Sequence, residues 1–138
     1  MLSQEEREGN RTNGESVRIG FSVEAIKQAF TDNLNYVQGK FPPIATKNDY
    51  YMALAYTVRY RLMESWTRTA RTYFSQAART VCYFSAEFLL GPQLGNNMIN
   101  LGIWENVQKA MEGLGLNLDE LLEQEAEPGL GNGGLGHA

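Results

Sequence analysis

The stretch TKNDYYMALAYTVRYRLMESWTRTARTYF, residues 46–74, decides the fold of this chain of 138 residues. Thr46 is followed three residues later by Asp49, which is the spacing of a capping box at the start of a helix. Behind this box, apolar side chains recur at helical spacing, at Tyr51, Leu54, Tyr56, Val58, Leu62, Met63 and Trp66. The stretch therefore predicts one long amphipathic helix that ends near Phe74.

Shorter helices are predicted on both sides of this one. Ser22 is placed to cap a helix whose apolar residues step by three or four along one face, at Val23, Ile26, Phe30, Leu34 and Val37. Gly39 and the pair Pro42-Pro43 end that helix. Segments 93–100, 104–114 and 118–124 also have helical patterns, and Asn117 is placed to cap the last of them.

The segment TVCYFS, residues 80–85, has a different character. It is short, β-branched, aromatic and apolar almost throughout, which predicts a strand buried on both faces with Cys82 as a core thiol. Nothing else in the sequence resembles such a strand, so we expect its sheet partners to lie outside this chain. The fold class predicted for the chain is mostly α with one buried strand.

Composition excludes several classes of protein. A single cysteine and a single histidine provide neither an internal disulfide nor a tetrahedral zinc site. The net charge of −4 argues against nucleic acid as the main partner. No apolar run is long enough for a membrane span and the polar opening lacks the core of a signal peptide, so a cytoplasmic protein is expected.

The charges are nevertheless unevenly distributed. Residues 50–86 contain five arginines against one acid, Glu64, whereas residues 112–138 contain six acids and no lysine or arginine. Arg61, Arg68 and Arg71 are spaced to lie near one face of the long helix. They could form an anion site there, or they could belong to a solvated face or to salt bridges between subunits.

The chain closes with PGLGNGGLGHA, which has five glycines in its last ten residues. Glycines at this density allow backbone N–H groups to converge on an anion, and phosphate is the natural guest. The spacing G-x-G-x-x-G begins at Gly129 and again at Gly131, which suggests dinucleotide binding. That fingerprint should follow a buried strand, whereas this one follows an acidic helical stretch, so a structural glycine turn is the commoner explanation.

Four blocks carry a resemblance to a known family: DYYMALAYTVRYRL (49–62), YFSAEFLLG (83–91), NLGI (100–103) and EPGLGNGGLG (127–136). In this order they resemble the N-terminal region of α-glucan phosphorylases, the glycogen, starch and maltodextrin phosphorylases. The resemblance runs from about Phe30 to Gly136 and covers a small fraction of a whole phosphorylase.

The resemblance implies a PLP-dependent glycosyltransferase that transfers a glucosyl unit from an α-1,4-glucan to phosphate, giving glucose 1-phosphate. It implies two α/β domains of the GT-B-like kind, a homodimer, and pyridoxal 5′-phosphate as cofactor. The Schiff-base lysine belongs to the second domain and is absent from this chain. The glycine loop resembles the one whose backbone amides face the substrate phosphate and sugar, which selects Asn132, Gly133, Gly134 and Leu135.

The domain organisation expected is a mobile arm over 1–20 and, over 21–138, a truncated part of the first phosphorylase domain that ends in the glycine loop. After Gly136 the family continues with an arginine, whereas this sequence has His137 and Ala138, so a fragment or a frameshift is expected. No catalytic residue and no metal site are assigned to the chain, and the isolated chain is expected to be inactive. The rival hypothesis is a non-enzymatic interaction module that uses the helices of 22–74 for dimer contacts.

Overall fold

The computed structural model describes residues 17–85 and 91–127, and these form a bundle of helices around one core. The α-helices are α1 (Val23–Asp32), α2 (Lys47–Ser75), α3 (Leu94–Asn100), α4 (Trp104–Glu112) and α5 (Leu118–Leu122). A π-helical turn, Asn33–Val37, extends α1, and a 3-10 turn, Pro42–Ile44, precedes α2. The predicted helices are all present, with ends within a few residues of the predicted ones.

Local capping explains where three of these helices begin. The Ser22 hydroxyl accepts a hydrogen bond from the Ala25 N–H at 3.2 Å at the start of α1. At the start of α2 the predicted capping box is complete, with the Thr46 hydroxyl and the Asp49 carboxylate each accepting from the other residue's backbone N–H. The Asn117 side chain accepts from the first N–H groups of α5. These caps satisfy backbone donors that a helix leaves free at its N-terminus.

The core is assembled from one face of each helix. α2 contacts α1, the π-helical turn, α3 and α5, and α4 packs against α1, α3 and α5. The buried apolar side chains of the core are Ile26, Phe30, Leu34, Ala53, Leu54, Val58, Leu94, Met98, Ile103, Val107, Ala110, Met111, Leu118 and Leu121. Because α2 contributes buried side chains only as far as Arg61, its second half extends beyond this core.

The second half of α2 exposes apolar side chains that the periodicity assigned to a buried face. Met63 is 37% exposed and Trp66 is 65% exposed, and Phe74 near the end of the helix is 90% exposed. The helix then ends in a reversal in which the Ala78 N–H donates to the Tyr73 carbonyl oxygen at 3.0 Å and Ala77 has a φ of +48°. This is the geometry of a Schellman motif with alanine at the position that glycine usually occupies.

The prediction of a buried strand over 80–85, which is part of the fold class of mostly α with one buried strand, is wrong. No residue in the described part of the chain is in a strand, and Val81, Tyr83 and Phe84 are at least 80% exposed. Cys82 is exposed as well, so it is not a core thiol. A strand needs a neighbouring strand to form a sheet, and residues 17–85 and 91–127 contain no other strand. Composition favoured a strand here, but pairing is not a local property.

Candidate functional site

The four loop residues selected from the sequence, Asn132, Gly133, Gly134 and Leu135, lie outside the described residues. What the structure describes is the segment that leads to them, from α5 to Glu127. It also describes both ends of the block YFSAEFLLG, residues 83–85 and Gly91, and the residues that follow Gly91. Residues 86–90 of this block lie outside the described ranges. The geometry of these flanks shows how the two motif blocks are placed relative to each other.

The segment that leads to the glycine loop is joined to the N-terminus of α3 by Glu125. One carboxylate oxygen, Oε1, accepts from the Gln93 N–H at 2.7 Å. The other, Oε2, accepts from the Leu94 N–H at 3.0 Å. α3 has no side-chain cap of its own at Gln93, so a residue more than 30 positions later in the chain completes its first turn. The end of one motif block and the start of the other are therefore adjacent in space.

The helices on both sides of this junction are anchored in the core. Leu94 and Met98 of α3 are buried, and so are Leu118 and Leu121 of α5. Burial, and then the charge of Glu125, raise the pKa of Tyr51 in α2. The core thus holds α3 and α5, and the Glu125 carboxylate joins the segment that follows α5 to the first turn of α3.

A surface ion pair joins α5 to the start of α2. Lys47 Nζ lies 2.7 Å from Glu120 Oε2, and both side chains are more than half exposed. The hydrogen bond to Glu120 and the charge of that carboxylate raise the pKa of Lys47. An exposed ion pair of this kind contributes little to stability. The buried side chains of Leu118 and Leu121 therefore provide the main anchor of α5.

The cofactor implied by the resemblance needs a lysine held unprotonated in an enclosed pocket. The chain has four lysines, at positions 27, 40, 47 and 109. Lys109 is exposed, and the pKa of Lys47 is raised rather than lowered. Lys27 and Lys40 are half-buried at the surface, and the amine of Lys27 packs against Gly113. These residues do not fit the covalent attachment of pyridoxal phosphate.

The three arginines of the predicted anion site do not converge. Arg61 is 1% exposed, and its guanidinium donates to the Gly20 carbonyl oxygen from both Nε and Nη2 and to the Thr57 carbonyl oxygen from Nη1 at 2.6 Å. Burial lowers the pKa of Arg61 to about 10. Arg68 and Arg71 are exposed. Arg61 therefore anchors residue 20 to α2, a role that its place in a charge pattern did not indicate.

A shallow depression beside α2 contains two arginines, Arg18 and Arg71. It is lined by Arg18, Tyr60, Glu64 and Arg71, among others. The Arg18 guanidinium lies 6.0 Å from the centre of the Tyr60 ring, at the outer limit for a cation–π interaction. Glu64 places a carboxylate among these arginines, which reduces the attraction that the depression offers to an anion.

Residues 17–85 and 91–127 contain neither a group of side chains that could bind a metal ion nor a helix that could span a membrane. In these ranges no three histidine, cysteine, aspartate or glutamate side chains are grouped so that they could hold a metal ion. None of the helices described there is both long enough and apolar enough to span a membrane.

Comparison with known proteins gives relatives over most of the chain. It is 65% identical over 122 residues to the glycogen phosphorylase of Synechocystis sp., a match that covers 88% of this chain and 14% of that protein. It is 44% identical over 115 residues to the liver form of glycogen phosphorylase from Homo sapiens and 42% identical over 114 residues to the brain form from Bos taurus. Each of these two matches covers 83% of this chain and 14% of the relative. The chain thus spans about one seventh of the length of these curated relatives. No model of a known protein family matches it.

Proposed function

Since the chain belongs to the glycogen phosphorylase family, we propose that it is the segment of an α-glucan phosphorylase that carries the glycine loop facing the substrate phosphate. The whole enzyme transfers a glucosyl unit from an α-1,4-glucan to inorganic phosphate. The glycosidic bond at C1 breaks and a phosphate oxygen bonds to C1. The proton that the phosphate gives up goes to the leaving 4-oxygen of the glucan. The products are glucose 1-phosphate and a glucan shortened by one unit.

The observation that carries this proposal is the pair of hydrogen bonds that the Glu125 carboxylate accepts from the N–H groups of Gln93 and Leu94. It joins Gln93, two residues after the block 83–91, to Glu125, two residues before the block 127–136, and these two blocks resemble the phosphorylase family most specifically. Blocks that serve one site must meet in space, and their described flanks do so. Together with 65% identity to a named phosphorylase, this favours a shared functional site over two unrelated motifs.

In this proposal the loop acts through its backbone. Glycine at positions 133 and 134 leaves room for N–H groups to approach a phosphate oxygen without a side chain between them. Asn132, Gly133, Gly134 and Leu135 then donate to the phosphate and the sugar as charge shifts between them in phosphorolysis. Donors fixed in place before the reaction stabilise such charge without reorganisation.

The other parts of the site come from elsewhere in the whole enzyme. Pyridoxal 5′-phosphate is proposed as its cofactor, held outside this chain because none of the chain's lysines fits that role. A homodimer and a cytoplasmic location are proposed from the family in the same way. The isolated chain is proposed to be inactive, since phosphorolysis needs the glucan, the phosphate and the cofactor held together.

An exchange of segments tests this function. The matching 122 residues of the Synechocystis sp. enzyme are replaced by those of this chain, and glucose 1-phosphate release is measured with maltoheptaose and phosphate. We expect phosphorolysis within about tenfold of the parent enzyme, since the exchange keeps the loop and its support. The isolated chain, assayed in parallel, should release none. An exchanged enzyme that binds pyridoxal phosphate normally but lacks phosphorolysis would contradict the proposal.

A second candidate function is the interaction module, in which the helices of 22–74 mediate dimer contacts without catalysis. The exposed side chains of Trp66, Tyr73 and Phe74 on the second half of α2 favour it. Large apolar side chains that are exposed close together are typical of a protein contact surface. A pull-down of a full-length phosphorylase by this chain, weakened by Trp66→Ser and Phe74→Ser but not by Glu123→Gln, would support the module. An unchanged pull-down would remove it.

A further inference from the structure

We propose that Glu125 is a positioning residue for phosphorolysis, an inference that rests on the proposed function. Its carboxylate holds the segment before the glycine loop against the first turn of α3. The residue touches no substrate, so its effect on the reaction passes through the backbone that it fixes. It differs from the other acids of residues 112–138 because its carboxylate accepts hydrogen bonds from two backbone N–H groups.

The strength of this contact follows from its chemistry. Hydrogen bonds from N–H groups to an ionised carboxylate are shorter and stronger than those between neutral groups. The donors belong to the first turn of α3, where backbone N–H groups have no partner inside the helix and the helix dipole favours negative charge. Leu94 is 6% exposed, so its N–H has little access to water as an alternative partner. Loss of the carboxylate thus leaves the Leu94 N–H without a ready replacement, whereas the exposed Gln93 N–H can bond to water.

The position of the contact in the chain gives it a functional consequence. Glu125 lies four residues before Gly129, the first glycine of the loop, and three residues after Leu122, the last residue of α5. α5 is fixed upstream by Leu118 and Leu121, which are buried. Beyond α5, the side chain of Glu125 connects the segment before the glycine loop to Gln93, which lies just after the block 83–91. It therefore fixes the described backbone just before the glycine loop.

Small displacements at such a point have large effects on rate. Backbone donors act on a developing charge only at hydrogen-bond distance, and a shift of about 1 Å can cost as much as about 100-fold in rate. The proposed loop donors act on the charge that shifts between phosphate and sugar during the reaction, and not on the length of the glucan chain. Loss of the Glu125 contact should therefore lower kcat more than it raises KM for the glucan.

The kinetic test uses the exchanged enzyme with Glu125→Gln and Glu125→Ala, and with Glu123→Gln as the matched control on the same exposed acidic segment. Gln keeps one acceptor oxygen and loses the charge, whereas Ala loses both. We expect kcat per bound pyridoxal phosphate to fall about tenfold or more in Glu125→Ala and by less in Glu125→Gln, with KM for maltoheptaose changed less than about twofold. A merely structural role would reduce the yield of folded enzyme and leave kcat per bound cofactor unchanged, which would overturn the proposal.

A second measurement does not depend on activity. In the 138-residue chain, hydrogen exchange at the Gln93 and Leu94 amides should be about tenfold faster in Glu125→Ala than in the wild type, and unchanged in Glu123→Gln. Unchanged exchange at both amides would overturn the contact itself. If the exchanged enzyme of wild-type sequence has no phosphorolysis, the proposed function fails and the positioning role fails with it. If that enzyme is active and Glu125→Ala matches it, the positioning role alone is wrong.

Discussion

Asn33 and Thr57, which lie 24 residues apart in sequence, form a buried hydrogen bond between the π-helical turn and α2. The Asn33 Nδ2 donates to the Thr57 hydroxyl oxygen at 3.0 Å, and that hydroxyl donates to the Ala53 carbonyl oxygen at 2.8 Å. Both side chains are less than 5% exposed. The bond fixes the register of the π-helical turn against α2, since an apolar contact would tolerate a shift of the turn and this bond does not.

Thr57→Val should destabilise the chain by about 1–3 kcal/mol, because the valine keeps the shape of threonine but leaves the buried Asn33 amide without its acceptor. Thr31→Val is the matched control: the Thr31 hydroxyl donates only to the Lys27 carbonyl oxygen, within its own helix. Urea unfolding followed by circular dichroism measures both changes. Equal free energies of unfolding for the two variants would show that the Asn33 contact contributes nothing.

Ala77→Gly should stabilise the chain by about 1 kcal/mol, because an L-residue is strained at positive φ and glycine is not. Ala77 has a φ of +48° and is exposed, so the change removes no packing. Ala70→Gly, inside the same helix, should have the opposite sign and destabilise by about 1 kcal/mol. Thermal melts of the two variants decide the point. A lower melting temperature for Ala77→Gly would mean that α2 does not end in this geometry.

The capping box of α2 makes stability depend on acid pH. The hydrogen bonds from the Thr46 backbone N–H and hydroxyl lower the pKa of Asp49 below its ordinary value of 3.8. A carboxyl whose pKa is lower in the folded state stabilises it above the unfolded pKa, and this contribution disappears as the pH falls through the folded pKa. The contribution of Asp49 is therefore complete at neutral pH and is lost below about pH 4.

Asp49→Asn should lower the melting temperature at pH 7 and bring the variant closer to the wild type at pH 2 to 3. Asp119→Asn is a useful comparison, since Asp119 lies in the first turn of a different helix. Titration of the Asp49 carboxyl carbon by NMR gives its pKa directly. A value at or above 3.8, with the same loss of melting temperature at both pH values, would contradict the box.

The exposed aromatic side chains beyond the core predict self-association of the isolated chain. Trp66, Tyr73, Phe74, Tyr83 and Phe84 are all more than 60% exposed. Apolar surface of this extent favours binding of a hydrophobic dye and association at micromolar concentration. Trp66→Ser with Phe74→Ser should reduce both, as measured by dye fluorescence and analytical ultracentrifugation, whereas Tyr36→Ser should reduce neither as much. A monodisperse wild-type monomer that binds no dye would contradict this prediction.

The helices could be predicted from the sequence because their signals are local. Ser22, Thr46 and Asn117 each cap a helix through residues two or three positions away, so the sequence alone contains both partners. The buried face of α1 and of the first half of α2 follows from spacing for the same reason. The second half of α2 has the same spacing at Met63 and Trp66 but no partner to cover it among the described residues.

The remaining features depend on contacts between distant residues. Glu125 caps a helix more than 30 residues earlier, and nothing near Glu125 in sequence signals this; the only indication is that Gln93 offers α3 no strong cap. The sequence leaves an anion site, a solvated face or salt bridges between subunits open for Arg61, and a place in the core is not among these because arginines rarely lie there. It is buried because the carbonyl oxygens of Gly20 and Thr57 accept its N–H groups.

The most direct test of the account is a substitution in the glycine loop of the exchanged enzyme. Gly134→Val places a branched side chain where the proposal needs converging N–H groups. Gly95→Ala in α3 is the matched control, since a Cβ there meets Trp104 at 3.5 Å, an ordinary contact distance. The account predicts that Gly134→Val lowers phosphorolysis by about 100-fold or more with normal cofactor absorbance, and that Gly95→Ala changes it less than about twofold. Full activity of Gly134→Val would contradict the claim that this chain supplies the phosphate-facing loop.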